Sequence, residues 1–281
     1  MRALVVGASG FLGSQVCAAL RAAGWQVVPV SRRGEVSLDV AGCSPAELRA
    51  LLRAWRPDAV VNCAGLLWSR DLDPAALTAV NAELPAKLAA VAGGRRVVQL
   101  GSIYEYGNLP ILEESTTEEP VTPYAVSKLA GSRAVLERGG TVLRVATAVG
   151  SRMPVQSFLG GLAARLRSAP PGEFTVPVAA GERDFMHAGD VGAAVLAALR
   201  APGAGLFNVA SGRPVAPRRL VQMLVSVSAV DVRLNAVAAG TTQRGGTDRQ
   251  LVRVEAAAAG LDWHPRRSLL DAVQELWRHP A

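Results

Sequence analysis

Tyr124 and Lys128, four residues apart, are the side chains of this chain best suited to acid–base chemistry. Thr122 and Pro123 precede them, and this pair predicts an N-cap followed by proline at the first position of a helix. On a helix, the spacing places both side chains on one face. Because an ammonium beside a phenol favours the phenolate, we expect Lys128 to lower the pKa of Tyr124 toward neutral pH. Such a phenol can exchange a proton with a carbinol or carbonyl oxygen.

A serine completes this predicted catalytic group. Ser102 follows an apolar run, residues 97–100, that predicts a buried strand. Its hydroxyl should therefore lie at the carboxyl end of the strand, where the crevices of open α/β sheets lie. Lys128 is one of two lysines in a chain whose other basic residues are arginine, which favours a chemical reason for lysine at this position.

A glycine-rich stretch near the N-terminus predicts a phosphate-binding turn. Residues 4–6 form a short apolar strand, and glycines at every third position then open a helix. Such a turn lets backbone N–H groups approach a pyrophosphate at the positive end of the helix. A tight turn that binds nothing is the alternative, but the strand before it and the helix after it favour a dinucleotide site. The loop residues predicted to contact the cofactor are Gly7, Ser9, Gly10, Phe11, Leu12 and Gly13.

Taken in order along the chain, these features resemble the extended short-chain dehydrogenase/reductase family, the NAD-dependent epimerases, dehydratases and reductases. The resemblance is carried by GASGFLG at 7–13, by Ser102 with Tyr124-x-x-x-Lys128, and by RDFMHAGDV at 183–191. The stretches GSIYEYG and TPYAVSKLAGSRAVL are most similar to the 4-ketoreductases of deoxysugar pathways. Those enzymes act on nucleotide-linked 4-keto-6-deoxyhexoses.

The resemblance implies a fold. We expect a doubly wound parallel sheet of the Rossmann type, with helices on both faces and a smaller, interleaved C-terminal lobe. Residues 1–149 and 181–210 are assigned to the dinucleotide-binding domain, and residues 150–180 and 211–281 to the substrate-binding lobe. The cofactor should cross the strand ends at the switch point, and the substrate should lie between sheet and lobe.

The end of the second predicted strand indicates which dinucleotide is bound. Residues 25–30 form that strand, and Ser31, Arg32 and Arg33 follow it. An acidic residue here takes the ribose 2′-hydroxyl of NAD, whereas arginine accommodates the 2′-phosphate of NADP. The missing acid and the two arginines together favour NADP(H), with two ordinary surface arginines as the alternative.

Further cofactor contacts are implied by the resemblance alone. Asp39 matches the family's adenine-side aspartate, and an ordinary loop residue is the alternative. Asn81 matches an asparagine that supports the active-site backbone and a water, and a solvent-facing polar residue is the alternative. The further residues that the resemblance places at the cofactor are Val40, Cys63, Ala64, Gly65, Tyr124 and Lys128.

The residues after Ser102 distinguish between reactions within the family. In its dehydratases the two positions after the active-site Ser or Thr hold Asp and Glu, which eliminate water. Ile103 and Tyr104 stand there in this chain, and neither can do the work of a carboxylate. The resemblance therefore implies that this chain does not dehydrate. Ile103 and Tyr104 are assigned to the substrate site, with a residue that only lines the crevice as the alternative for Tyr104.

An arginine in a second motif is the predicted ligand of a substrate diphosphate. Arg183 opens RDFMH, which resembles the RDFIH stretch of nucleotide-sugar enzymes, and a bidentate guanidinium suits a diphosphate. An ion pair with Asp184 or Asp190 is the alternative. Arg244, as a second diphosphate ligand, and Trp68, in a loop near the mouth, complete the predicted substrate residues.

Composition limits the possible partners. The 281-residue chain is 50% hydrophobic, enough for a large core, and no apolar stretch reaches the roughly 18 residues of a membrane span. Its charge of +7 comes from scattered arginines, so we expect a small anionic ligand and no nucleic acid. Three separated cysteines without a CxxC spacing predict neither a metal site nor disulfides, which is typical of the cytoplasm.

Several structural expectations follow from local patterns. A helix beginning at Asp73-Pro74 carries an apolar stripe that serves as core or as the surface of a homodimer. Asp190 should cap a helix that ends at Leu199. Residues 113–119 are strongly acidic and predict a solvated loop, and Tyr106 is predicted to pack in the interior.

The sequence thus predicts an NADPH-dependent ketoreductase, with Tyr124 as proton donor, Ser102 bonded to the carbonyl and Lys128 beside the tyrosine and the nicotinamide ribose. The expected substrate is a nucleotide diphosphate-linked 4-keto-6-deoxyhexose, reduced at C4. Three rival functions stay open: an epimerase that retains its cofactor, a ketoreductase of a polyketide-like ketone, and an NADP-binding regulator without catalysis.

Overall fold

The computed structural model describes residues 1–67, 73–239 and 249–281. A seven-stranded sheet runs through the centre of the molecule, with apolar cores on both of its faces. The strands are, in chain order, β1 (Arg2–Val6), β2 (Gln26–Ser31), β3 (Val36–Ser37), β4 (Ala59–Asn62), β5 (Arg96–Ser102), β6 (Ile111–Leu112), β7 (Thr141–Val145), β8 (Thr147–Val149), β9 (Gly172–Val178), β10 (Arg183–His187), β11 (Leu206–Val209), β12 (Pro214–Val215), β13 (Val232–Ala238) and β14 (Leu251–Val252).

The helices connect these strands. They are α1 (Phe11–Ala22), α2 (Pro45–Trp55), α3 (Pro74–Thr78), α4 (Leu84–Val91), α5 (Pro123–Leu136), α6 (Phe158–Arg167), α7 (Ala188–Arg200), α8 (Pro217–Ser228), α9 (Glu255–Leu261) and α10 (Leu269–Arg278). A π-helical turn, Ala79–Glu83, joins α3 to α4, and a 3₁₀ turn, Ile103–Tyr106, follows β5. Among the residues that the structure describes, no helix is both long and apolar enough to cross a membrane.

The large sheet has the strand order β11-β7-β5-β4-β1-β2-β3, and its neighbouring strands are parallel throughout. From β1 the chain builds outward through β2 and β3, and it then returns to the other side of β1 with β4. The switch point lies between β1 and β4, where ligand crevices form in sheets of this kind. The predicted doubly wound parallel sheet is therefore confirmed.

Alternate residues of β1 enter the cores on the two faces of the sheet. Val5 packs with apolar residues of α1 and α7, whereas Leu4 and Val6 pack with those of α2 and α4. Because successive side chains point to opposite faces of a strand, a strand covered on both sides is apolar throughout. This explains why the strands before the functional loops are continuous apolar runs in the sequence.

A second apolar core, built mainly by α6, α8, α10 and β9, forms the smaller lobe. There β9 pairs in parallel with β13, while a three-stranded sheet of order β12-β10-β8 lies apart from the large sheet. Phe185 of β10 packs in the lobe core, and its neighbour Met186 packs in the main core. The three-stranded sheet therefore joins the two cores.

The predicted division into domain and lobe stays a prediction, and the strand pairing crosses its boundaries. The prediction assigns β8 and β10 to the dinucleotide-binding domain, but they pair with each other outside the large sheet. It assigns β14 and α9 to the lobe, yet β14 pairs with β6 and Ala257 and Leu261 of α9 pack in the main core. Within the predicted segment 181–210, β11 rejoins the large sheet beside β7.

The N-terminus of α7 differs from the sequence prediction. His187, not Asp190, is the N-cap, because its Nδ1 accepts the N–H of Gly189 at 2.9 Å. The buried carboxylate of Asp190 instead accepts the backbone N–H groups of Arg266 and Arg267, both at 3.0 Å. Asp190 therefore ties the chain before α10 to α7, a long-range contact that local sequence does not indicate.

Candidate active site

Ser102, Tyr124 and Lys128 meet where β5 ends and α5 begins. Ser102 is the last residue of β5 and is buried, as predicted for a strand-end residue. The Thr122 hydroxyl accepts the N–H of Ala125 at 3.1 Å and caps α5, so Tyr124 lies in the first turn and Lys128 one turn later. The Ser102 hydroxyl lies near enough to the Tyr124 phenol to lower the pKa of that phenol. The three predicted catalytic side chains are thus brought together.

The electrostatics of this group differ from the expectation. Burial raises the pKa of Tyr124 above its ordinary value, and the hydrogen bond with Ser102 opposes that rise only in part. The Lys128 ammonium, which we expected to lower this pKa, contacts the carbonyl oxygen of Leu100. Tyr124 is therefore a neutral phenol at neutral pH, which is the form that donates a proton.

A buried carboxylate that the sequence analysis did not predict, that of Glu105, is bonded to the backbone of Ser102. Glu105 accepts the N–H of Ser102 through Oε1 at 2.8 Å and the Ser132 hydroxyl at 2.9 Å. Its Oε2 accepts Nε–H of Arg144 at 2.8 Å, and both side chains of that pair are fully buried. The signal was present in the sequence, because Ser102 and Glu105 have the S-x-x-E spacing of a capping box.

The acidic stretch 113–119 is more than the solvated loop that its composition predicts. Glu118 accepts a second hydrogen bond from Arg144, from Nη2 at 2.7 Å, and Glu114 accepts the N–H of Asn208 at 2.6 Å. The buried Tyr106, whose predicted packing role holds, donates its hydroxyl to Asn208 Oδ1 at 2.9 Å. Two of these glutamates therefore anchor the loop to β7 and β11.

The glycine loop, residues 7–13, forms a cradle in which Gly7 and Gly13 leave no room for a Cβ atom. Gly7 has φ +79°, and a Cβ there would lie 2.6 Å from the backbone nitrogen of Ala64. A Cβ on Gly13 would lie 2.0 Å from the carbonyl oxygen of Gly7. Ser9 and Gly10 are exposed beside the N-terminus of α1, whose first turn carries neither a side-chain cap nor an acid. The glycine loop thus packs tightly against the backbone near Ala64 and leads into helix N–H groups that no side chain caps. Such a turn fits a dinucleotide pyrophosphate.

The residues at the end of β2 are predicted to contact the adenosine end of a dinucleotide. Ser31 is buried at the end of β2, while Arg32 and Arg33 are exposed and form no ion pair within the described part of the chain. Asp39 Oδ1 accepts the backbone N–H of Ala41 at 3.1 Å. This bond gives Asp39 a structural role in its loop without a cofactor. Val40 is half-buried against the core beside α2. Two exposed guanidiniums are thus available to an anion.

Asn81 supports the loop after β4 and does not face solvent. It is fully buried in the π-helical turn, where its Oδ1 accepts the N–H of Leu66 at 2.9 Å and its Nδ2 donates to the Leu66 carbonyl at 3.0 Å. A further bond reaches the Ser127 hydroxyl at 3.1 Å, which ties this loop to α5. Cys63 and Gly65 lie in the same loop, so Asn81 fixes the chain that faces the glycine cradle.

The predicted substrate residues have different surroundings. Tyr104 is 41% exposed, and its ring meets that of Tyr124 edge to face with centroids 6.4 Å apart. Ile103 is 3% exposed and packs in the main core, so it presents little surface to a ligand. Tyr104 is therefore the residue of this pair that lies open beside the phenol. Trp68 and Arg244 lie outside the described residues.

Arg183 opens β10 and is half-buried, and its Nη1 donates to the carbonyl of Glu182 at 2.8 Å. The buried carboxylate of Asp184 accepts the N–H groups of Ser211 and Arg213 at 2.8 and 3.2 Å. Asp184, like Asp190, thus accepts hydrogen bonds from backbone amides. Both carboxylates have a structural role that does not require Arg183.

Comparison with known proteins assigns the chain to a family. The model of the family described as "NAD dependent epimerase/dehydratase family" matches residues 3–210. The chain is 35% identical to dTDP-6-deoxy-L-talose 4-dehydrogenase (NAD(P)(+)) of Kitasatospora kifunensis, over 98% of this chain and 94% of that protein.

Two solved structures share the fold. One is RMD from Pseudomonas aeruginosa complexed with NADPH, with a TM-score of 0.84, 24% identity and coverage of 99% of this chain and 97% of that one. The second is UDP-glucose-4-epimerase from Stenotrophomonas maltophila with bound NAD and formylated UDP-arabinopyranose, with a TM-score of 0.85 and 21% identity. It covers 99% of this chain and 97% of its own. At these identities the likeness concerns the fold.

Proposed function

We propose, from the premise that this chain belongs to the NAD dependent epimerase/dehydratase family, that it reduces the C4 ketone of a nucleotide diphosphate-linked 4-keto-6-deoxyhexose with NADPH. The family binds NAD(P) and modifies nucleotide sugars, and we expect dTDP as the nucleotide. One arrangement carries the choice of reaction: Ser102 ends β5, and Tyr124 lies in the first turn of α5, where burial raises the pKa of its phenol. The neighbouring carboxylate, that of Glu105, is buried and bonded on both oxygens, so it is not free for elimination. This arrangement suits proton donation to a ketone.

The chain's own residues supply binding and the proton. The cradle of Gly7 and Gly13 would hold the pyrophosphate of NADPH, which supplies the hydride for the ketone carbon when bound. Tyr124 donates its proton to the oxygen that becomes the alcohol, and Ser102 donates a hydrogen bond to the same oxygen. Lys128, held on the Leu100 carbonyl, fixes the end of β5 beside the phenol.

The cofactor preference separates this proposal from an epimerase that retains NAD. A charge-assisted contact with the 2′-phosphate contributes about 1.5–3 kcal/mol. Replacing Arg32 and Arg33 together with alanine should therefore lower the NADPH-over-NADH preference by about 10- to 100-fold, measured as the ratio of the two Kd values. The matched control replaces Arg49 and Arg53, two exposed arginines of α2, and should leave the ratio unchanged. Equal binding of NADH and NADPH by the wild type contradicts the assignment.

The substrate class rests on Arg183 and on the relative with 35% identity, whose name contains a dTDP-linked 6-deoxy sugar and the 4-position. We expect Arg183→Ala to raise KM for a dTDP-4-keto-6-deoxyhexose by about tenfold or more, because the diphosphate loses its charged partner. The turnover number should also fall if remote binding energy helps to place C4. Arg218→Ala, an exposed arginine of α8 in the same lobe, is the matched control.

The same variant tests whether the substrate is a nucleotide sugar at all. A polyketide-like ketone without a diphosphate would be indifferent to Arg183→Ala, so unaltered kinetics with the true substrate remove the nucleotide-sugar proposal and leave NADPH-dependent ketone reduction. A purified protein that binds NADPH but turns over no ketone would be the non-catalytic regulator. A cytoplasmic location and a homodimer stay predictions.

A further inference from the structure

The buried Glu105 carboxylate has no part in the proton transfer described above, yet it is extensively bonded beside it. Its three hydrogen-bond donors are Ser102 N–H, the Ser132 hydroxyl and Arg144 Nε–H, at 2.8, 2.9 and 2.8 Å. A buried carboxylate needs such partners because its desolvation costs several kcal/mol. Arg144 in turn lies over the ring of Tyr106, with its guanidinium carbon 4.2 Å from the ring centroid.

The backbone around this carboxylate is built to fit it. A Cβ on Gly101 would lie 2.8 Å from Glu105 Oε1 and 3.0 Å from Ser132 Oγ, so Gly101 leaves the space that the carboxylate occupies. At the opposite end of the same short segment, the ammonium of Lys128 contacts the carbonyl of Leu100. The chain from Leu100 to Ser102 is therefore held by a buried cation at its first residue and by a buried anion at its last.

The geometry points to Glu105 as a positioning residue: its carboxylate fixes the amide of Ser102, at the end of the segment whose first carbonyl, that of Leu100, the buried Lys128 holds. This inference rests on the proposed reaction, in which Ser102 and Tyr124 act on the ketone oxygen. The Ser102 hydroxyl already accepts the N–H of Tyr104 at 3.3 Å, which leaves its own proton for donation. Glu105 thus fixes the backbone of the serine whose hydroxyl proton is left for the ketone oxygen.

The charges around Lys128 agree with this role. Burial lowers the pKa of Lys128, whereas the Glu105 carboxylate and the Cys63 thiol raise it. Besides Ser102, two groups act on the pKa of Tyr124. Glu105 and Tyr104 both raise it and so favour the protonated phenol. Arg144, from β7, is the charged partner of Glu105 itself. Glu105 therefore favours the protonated form of both the lysine and the tyrosine.

The kinetic test is Glu105→Gln, which keeps the size of the side chain, removes its charge and replaces one of the two accepting oxygens with an NH2 donor. We expect kcat for ketone reduction to fall roughly tenfold, since a slight misplacement of a catalytic group is costly, while KM and NADPH binding change little. The matched control is Glu118→Gln, because Glu118 binds the same Arg144 at 2.7 Å and turns its second oxygen to the exposed Arg133 at 3.1 Å. That control should keep the wild-type kcat.

A second readout needs no substrate. The chain contains two lysines, so labelling lysine Nζ with ¹⁵N gives two signals, from Lys128 and from Lys87, which pairs with Glu83 at 3.0 Å. In Glu105→Gln the Lys128 signal should titrate at lower pH than in the wild type, while the Lys87 signal stays unchanged. In Glu118→Gln both signals should titrate as in the wild type.

These readouts separate the two hypotheses. A wild type without ketone reduction removes the proposed function, and the Lys128 titration then still decides the role of Glu105. An unchanged Lys128 titration and unchanged kcat in folded Glu105→Gln overturn the inference. If that variant does not fold, Glu105→Gln/Arg144→Gln removes both charges of the buried pair while Glu118 keeps Arg133 as its partner, and it should show the same two changes. Wild-type behaviour of the double variant likewise overturns the inference.

Discussion

Tyr124→Phe should lower the turnover number for ketone reduction by about 100-fold or more while NADPH binding persists, because it removes the proton donor and keeps the ring. The ring contact with Tyr104, at 6.4 Å between centroids, is available to phenylalanine as well. Steady-state kinetics together with a fluorescence titration of NADPH measure both quantities. Lys128→Met should weaken both turnover and binding.

The control for this variant is Tyr106→Phe. Tyr106 is fully buried, and its hydroxyl donates to Asn208 Oδ1 at 2.9 Å, away from the catalytic serine. Its loss should cost about 1 kcal/mol of stability and leave the turnover number close to that of the wild type. If Tyr124→Phe still reduced ketone at the wild-type rate, the proton would come from another group, such as Tyr104.

The direction of the Tyr124 shift also predicts a pH dependence. Since burial raises the pKa of Tyr124, the phenol remains an acid through the range in which an ordinary tyrosine, with a pKa of about 10, begins to ionise. The rate of reduction should thus not decline below about pH 10 through ionisation of this residue. An alkaline loss near neutral pH would show that Lys128 lowers the pKa after all.

Gly7→Ala should weaken NADPH binding by up to about 100-fold, since a strained backbone costs about 1–3 kcal/mol and here the cradle itself must move. The added Cβ would lie 2.6 Å from the backbone nitrogen of Ala64, in a loop that Asn81 holds in place. The loop and the glycine turn would be pushed apart where the pyrophosphate is expected. Isothermal titration with NADPH measures the change.

Gly24→Ala is a matched control for the backbone strain. Gly24 has φ +80°, almost the same as +79° at Gly7, but a Cβ there would meet nothing within 4 Å. Both variants should lose stability, by roughly 1–2 kcal/mol for a left-handed residue, in thermal unfolding. NADPH binding should be weakened in Gly7→Ala alone, and equal weakening in both would refute a specific cradle.

Much of the fold and of the site could be predicted from the sequence because the determining interactions are local. The capping of α5 by Thr122, the glycine turn and the apolar run of β5 each arise from neighbouring residues. Parallel strands bring their carboxyl ends to one edge, so a serine that ends β5 lies at that edge. The family resemblance implied the doubly wound sheet, and local spacing placed Tyr124 and Lys128 one turn apart on α5.

Only the tertiary structure decided which charged groups are buried and what they bond. Glu105 and Arg144 are 39 positions apart, and β7 brings them together because it pairs with β5. From the sequence we expected Lys128 to lower the pKa of Tyr124, whereas burial raises that pKa and the Lys128 ammonium contacts the Leu100 carbonyl. Desolvation depends on every atom that surrounds a group, and those atoms come from distant parts of the chain. The sequence by itself thus determined the strand end and the helix on which the predicted catalytic residues lie, and the packing around them determined their burial and their bonded partners.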